Sequence, residues 1–88
     1  MKFTFFSDPG HGWVKVPLAL IKELGIARDI TQYSYIKGDW VYLEEDCDAY
    51  LFKQKMNLAG KPVEFVQKTT NQSSRIRAYE RYKAWIYA

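Results

Sequence analysis

One histidine and one cysteine, His11 and Cys47, are the side chains of this 88-residue chain best suited to nucleophilic chemistry. A thiolate attacks when a base or a helix N-terminus lowers its pKa. Cys47 stands at an expected helix start, but Glu44, Glu45, Asp46 and Asp48 flank it in sequence. Their negative charge opposes thiolate formation, so Cys47 reads as structural rather than catalytic. Asp8, His11 and the acidic cluster offer oxygen and nitrogen ligands to a metal. A strong metal signal, however, repeats Cys or His at fixed spacing, and acidic residues at a helix start ordinarily cap it and complement its dipole. No catalytic residue, metal ligand or cofactor is assigned, and the chain reads as a non-enzyme.

The third constellation is aromatic and basic. Tyr33, Tyr35, Trp40 and Tyr42, with Lys37 and Glu44, share one face of an expected hairpin, and Arg75, Arg77 and Arg81 follow in a basic C-terminal segment. Rings on a sheet surface stack bases while cations hold phosphates, and exposed Tyr and Trp equally anchor protein interfaces. The alternative is a C-terminal helix lying over this face and making a second small core. A chain of this length has little material for covering both faces of a sheet, which leaves part of the aromatic face exposed. His11 and Trp13 belong to the loop "SDPGHGW"; the turn demands its glycines and proline but neither of these rings, so both join the candidate contact residues. The binding set is therefore His11, Trp13, Tyr35, Trp40, Tyr42, Arg75, Arg77 and Arg81.

Several elements must position these residues. Residues 2–7 and 13–16 alternate apolar and polar positions with a period of two, as strands do. The Asp-Pro-Gly between them predicts a hairpin loop with a type II turn, Pro9 presetting φ and Gly10 taking positive φ. Pro17 fits the first position of a helix whose buried stripe is Pro17, Leu20, Ile21 and Leu24, ended by Gly25. In residues 33–44 the pair Gly38-Asp39 suits a type II′ turn. It sets Lys37 opposite Trp40, Ile36 opposite Val41, Tyr35 opposite Tyr42, Ser34 opposite Leu43 and Tyr33 opposite Glu44. Asp46 or Glu45 caps the next helix, with Ala49, Phe52, Met56 and Ala59 buried, Leu51 and Leu58 widening the stripe, and Gly60 and Pro62 as its stop. Residues 63–68 read as a strand. From Arg75 a last helix aligns Ala78, Tyr79, Tyr82, Trp85 and Ile86, and puts Arg77 and Arg81 one turn apart. The expectation is one α+β domain over residues 1–88, mainly an antiparallel sheet of about five strands with two or three helices on one side, in the order ββαββαβα.

The net charge is +3, but it is segregated. Residues 1–50 carry five Lys/Arg and eight Asp/Glu, and residues 51–88 carry eight and two. Such asymmetry marks either a basic binding face or two halves that neutralise each other in the fold; the second predicts that the acidic helix start lies beside the basic segment and masks it. A single cysteine excludes an intrachain disulfide. No apolar run reaches the length that spans a bilayer, and the N-terminus lacks a signal peptide's apolar region, so the expectation is a cytoplasmic protein with no membrane partner.

Three stretches, "SDPGHGW", "YLEEDCDA" at residues 42–49 and "SRIRAYERY" at residues 74–82, together resemble a family of small uncharacterised proteins of bacteriophages and other bacterial mobile elements. The resemblance runs over nearly the whole chain. It implies a setting, a phage or prophage accessory protein in the cytoplasm of a bacterial host, and brings no functional residue with it. Small accessory proteins of phages often act on host proteins or nucleic acid, defence systems included. The leading expectation is binding of an unidentified host protein through the aromatic hairpin face and neighbouring loop. The alternative is nucleic-acid binding by the same face with the Arg and Lys of the C-terminal segment. The oligomeric state is left open.

Overall fold

The computed structural model describes residues 1–87 and shows a small α+β fold built on a single mixed sheet. Its elements are β1 (Lys2–Ser7), β2 (Gly12–Pro17), α1 (Leu18–Glu23), β3 (Tyr35–Lys37), β4 (Trp40–Glu44), α2 (Asp48–Leu58), β5 (Glu64–Thr69) and β6 (Glu80–Arg81), with 3-10 turns at Arg75–Ala78 and Ala84–Tyr87. The strand order is β5-β1-β2-β4-β3-β6. All neighbours are antiparallel except β5, which runs parallel to β1.

The period-two pattern gives the sheet two unlike faces. Phe3, Val14, Val16, Val41 and Leu43 point to the helices, where Ile21, Phe52 and Met56 close the main core. Phe3 meets the Phe52 ring edge-on at 5.0 Å. The central hairpin has the register that Gly38-Asp39 dictates, Lys37 with Trp40, Ile36 with Val41 and Tyr35 with Tyr42. Gly38 has φ +60 and Asp39 does not share the positive φ, as a type II′ turn requires. The ladder stops at Tyr35, short of the expected Ser34 and Tyr33 pairs. The Ser34 hydroxyl ends it by accepting from the Glu44 N–H at 3.0 Å and donating to the buried Asp48 carboxylate at 2.5 Å. Asp48 also accepts from the Thr31 N–H and hydroxyl, at 3.0 and 2.8 Å. Burial pushes its pKa up, and these hydrogen bonds oppose the shift.

Three local expectations are corrected. Pro17 is the last residue of β2 and the N-cap of α1, rather than its first helical residue. Gly10 does not adopt positive φ. The "SDPGHGW" loop is instead held by Asp8, whose Oδ1 accepts from the N–H groups of Gly10 and His11 at 3.0 and 2.9 Å. Gly10 and Gly12 are there for space: a Cβ would stand 2.8 Å from Arg77 Nη2 in one and 2.5 Å from the Phe5 ring in the other. Neither Asp46 nor Glu45 caps α2. Glu44 does so from the end of β4, accepting from the N–H groups of Asp46, Cys47 and Asp48 at 2.9, 2.6 and 2.9 Å. In that helix Ala49, Phe52 and Met56 are buried, while Leu58 and Ala59 are exposed.

The C-terminal helix does not form, and the strand count is six rather than five. An α-helix would set Tyr79 and Tyr82 on one side. The chain instead passes across the sheet edge, so Tyr79 packs on the face away from the helices while Tyr82 is fully buried in the main core. A two-residue strand makes that change of face, since its side chains alternate. Tyr82 is fixed there by its N–H to the Ser34 carbonyl at 2.9 Å and by its hydroxyl to the Ala27 carbonyl. Trp85 and Ile86, expected on the buried stripe, are exposed.

Candidate nucleic-acid interface

The face of the sheet away from the helices carries most of the residues singled out by sequence. Trp13, Tyr35 and Tyr42 project to it from β2, β3 and β4 and form a second, smaller core with Ile76, flanked by Phe6 and Tyr79. The segment Ser74–Tyr79 lies over these rings. Trp13 is only 2% exposed and Tyr35 and Tyr42 only 7% each, whereas Trp40 remains 41% exposed and Tyr33 is open. The part of the aromatic face left uncovered is therefore the hairpin margin, not its centre. Burial, with Tyr79 beside it, raises the pKa of the Tyr42 phenol.

Asp8 holds this cover in place. Its side chain is almost wholly buried, and it accepts from Arg77 Nε at 2.6 Å and Nη2 at 2.8 Å, a two-point guanidinium–carboxylate pair, and from the Ser74 N–H at 2.9 Å. Those bonds, with the two loop N–H groups, hold its carboxyl well below the usual carboxylate range, with Arg77 the largest cause. The acidic residue of "SDPGHGW" is thus the loop's organising group. His11 stands exposed at the turn, its ring 6.2 Å from that of Trp13.

Cations are threaded between the rings. Arg77 lies 5.3 Å from the Trp13 centroid, Arg81 4.9 Å from Tyr35, Lys15 4.3 Å from Trp40, Lys37 4.7 Å from Tyr79 and Lys68 5.9 Å from Phe6. Of these five, only Arg77 has a carboxylate partner among the described residues. Ring quadrupoles attract the cations without neutralising them, so the face keeps its positive charge.

Two hollows open on this face. A cavity of about 380 Å³ brings together His11, Trp13, Tyr35, Arg77 and Arg81 with Glu44, Asp46 and Cys47. Here the acidic helix start does lie beside the basic segment, although no ion pair joins them among the described residues. Cys47 is exposed, and Glu44 foremost, then burial, Asp48 and Asp46, push its thiol pKa up. A cleft of about 660 Å³ lies on the other side of the covering segment. Its cations are Lys15, Lys68 and Arg75, its rings are Phe6, Tyr42 and Tyr79, and its hydroxyls are Ser7, Thr69, Thr70, Ser73 and Ser74. Among the described residues no carboxylate lines it.

Of the expected binding residues, His11, Trp13, Tyr35, Arg77 and Arg81 share the first hollow, Tyr42 and Arg75 line the second, and Trp40 sits apart at the hairpin margin. Phe6, Lys15, Lys68 and Tyr79 were missed. The alternation of β1 and β2 does place Phe6 and Lys15 on this face, opposite Phe5 and Val14. Lys68 joins them only through the β1–β5 pairing, which sets it beside Phe6. Among the described residues no group of three or more His, Cys, Asp or Glu is arranged to hold a metal ion, and no helix is long and apolar enough to cross a membrane. Comparison with protein-family models, curated proteins and solved structures gives no match.

Proposed function

We propose that this is a binding protein whose working surface is the sheet face away from the helices, and that it holds a single-stranded nucleic acid. The observation that carries this reading is the cleft with three cations, an aromatic floor and a rim of hydroxyls, and no carboxylate among the described residues. Cations and hydroxyls suit the phosphates of a strand, and the half-buried Phe6 and Tyr79 rings suit its bases. Burial of Trp13, Tyr35 and Tyr42 under Ser74–Tyr79 removes the large aromatic anchors on which a protein interface at the hairpin centre would rest. Nucleic acid therefore takes precedence over a host protein, in whatever cell the chain works.

The protein-partner reading keeps one specific support. Trp85 and Ile86 are 70% and 63% exposed, and Ile86 lies by the Gly38 turn, at the hairpin end that also bears Trp40. That margin is where a protein would dock.

Fluorescence anisotropy with a labelled oligothymidylate tests the proposal. Lys15→Ala and Arg75→Ala should each weaken binding, and each lost phosphate contact should reduce the salt dependence of log K by roughly 0.7. Lys53→Ala, on the exposed side of α2, is the control and should change nothing. Equal effects from all three substitutions would remove the cleft from the interface.

A further inference from the structure

β5 lies at one end of the strand order, and among the described residues no strand pairs with its outer edge. Glu64 N–H donates to the Met1 carbonyl at 2.8 Å and Thr70 N–H to the Ser7 carbonyl at 2.9 Å. Even-numbered residues of β5 thus turn their backbone groups to β1. Phe65, Gln67 and Thr69 turn theirs outward, because N–H and C=O of one strand residue point the same way and alternate along the chain. Such a row is a template for another strand. β5 contains no proline, and Val66 on it is 46% exposed.

We propose that this edge pairs antiparallel with β5 of a second copy of the chain, in the register centred on Val66. Every register centred on one residue of β5 from 65 to 69 sets outward backbone groups against one another, and these registers differ in which side chains meet. Only the register centred on Val66 sets Glu64 opposite Lys68 of the second copy, and Lys68 opposite its Glu64. Among the described residues, neither side chain has an ion-pair partner within the chain. In that register Phe65 and Gln67 exchange the hydrogen bonds. Glu64–Lys68 and Val66–Val66 fall at the non-hydrogen-bonded positions, where side chains approach closest and opposite charges attract. The two-fold axis stands perpendicular to the sheet, so both copies keep their basic faces on one side. The sheet becomes continuous through the pair, and the two clefts lie on one surface. This pairing stands whether or not that surface binds nucleic acid.

Sedimentation of the chain alone tests it. The wild type should move from monomer to dimer as its concentration rises. Glu64→Lys, which sets Lys against Lys, should abolish the dimer, and adding Lys68→Glu should restore it. Register is read by oxidation of Val66→Cys in a Cys47→Ser background, which removes the one native thiol. Cα atoms at a non-hydrogen-bonded pair stand close enough for a disulfide, so this variant should cross-link into a dimer. A monomer up to the solubility limit would overturn the proposal. So would a dimer indifferent to Glu64→Lys, or one in which Val66→Cys fails to cross-link.

Discussion

Ile76 is the pin of the second core, and its truncation measures how firmly the covering segment is packed. It is 3% exposed and sits among Trp13, Tyr35 and Tyr42. Ile76→Ala deletes three buried carbons, and at about 0.8 kcal/mol each the transfer loss is about 2.4 kcal/mol. A cavity between rigid rings adds to this, within the roughly 2–5 kcal/mol that such truncations cost in cores. For a domain of this size the change lowers Tm by about 10–20 °C. Urea unfolding followed by tryptophan emission supplies the free energy, with Ile76→Val as the smaller step at about 0.5–1.5 kcal/mol. A loss below about 0.5 kcal/mol for Ile76→Ala, the scale of a surface change, would refute the second core. It would also return Trp13, Tyr35 and Tyr42 to the exposed surface and restore the protein-interface reading.

Tyr82→Phe should cost about 1–3 kcal/mol in urea unfolding, because the Ala27 carbonyl is left buried without its donor; a neutral result would contradict the position of β6. Asp8 has a depressed folded pKa, so its stabilisation is complete above its unfolded pKa of about 4 and is lost as pH falls below it. Asp48, with a raised pKa, acts in the opposite direction. The urea midpoint of the wild type should therefore fall on acidification below about pH 4 more than that of Asp8→Asn, and parallel pH profiles would disprove the role of Asp8. Cys47, although exposed, should react with iodoacetamide at neutral pH more slowly in the folded chain than in urea-unfolded chain, since its acidic neighbours raise its pKa. Faster alkylation of the folded form would show an activated thiol.

The parts of this fold that sequence reveals are those governed by local geometry. Gly38-Asp39 dictates a turn, the turn dictates a register, and the register sorts Ile36, Val41 and Leu43 from Tyr35, Trp40 and Tyr42. The same alternation sorts Val14 and Val16 from Trp13 and Lys15. The parallel partner of β5 is not legible this way. Its pairing with β1 joins residues some sixty positions apart, and a period of two says which face a side chain takes but not which strand lies alongside. The C-terminal segment misleads because Ala78, Tyr79, Tyr82, Trp85 and Ile86 fall at three- and four-residue spacing, a helical stripe. Two separate cores, on opposite faces, each take one of the tyrosines Tyr79 and Tyr82, and Trp85 and Ile86 enter neither. The glycines of "SDPGHGW" suggested turn dihedrals, whereas packing against Arg77 and Phe5 accounts for them, and both contacts exist only in three dimensions. By sequence Asp8 reads as part of the Asp-Pro-Gly turn and as a weak metal ligand. Its role depends on Arg77, sixty-nine residues away, a partner that no local motif announces.

The central claim is that the cation-bearing sheet face holds a nucleic-acid strand, and the salt dependence of oligothymidylate binding tests it most directly. With Lys15, Lys68 and Arg75 each on a phosphate in the monomer, log K should fall with log salt at a slope of about −2, since each single-strand contact contributes about −0.7. In the β5-paired dimer, where Glu64 of the second copy takes up Lys68, the slope per chain should be about −1.4. A blunt-ended duplex, whose bases are stacked away from the rings, should bind more weakly at the same salt. Binding that is absent at low salt, or present with a slope near zero, would contradict the account.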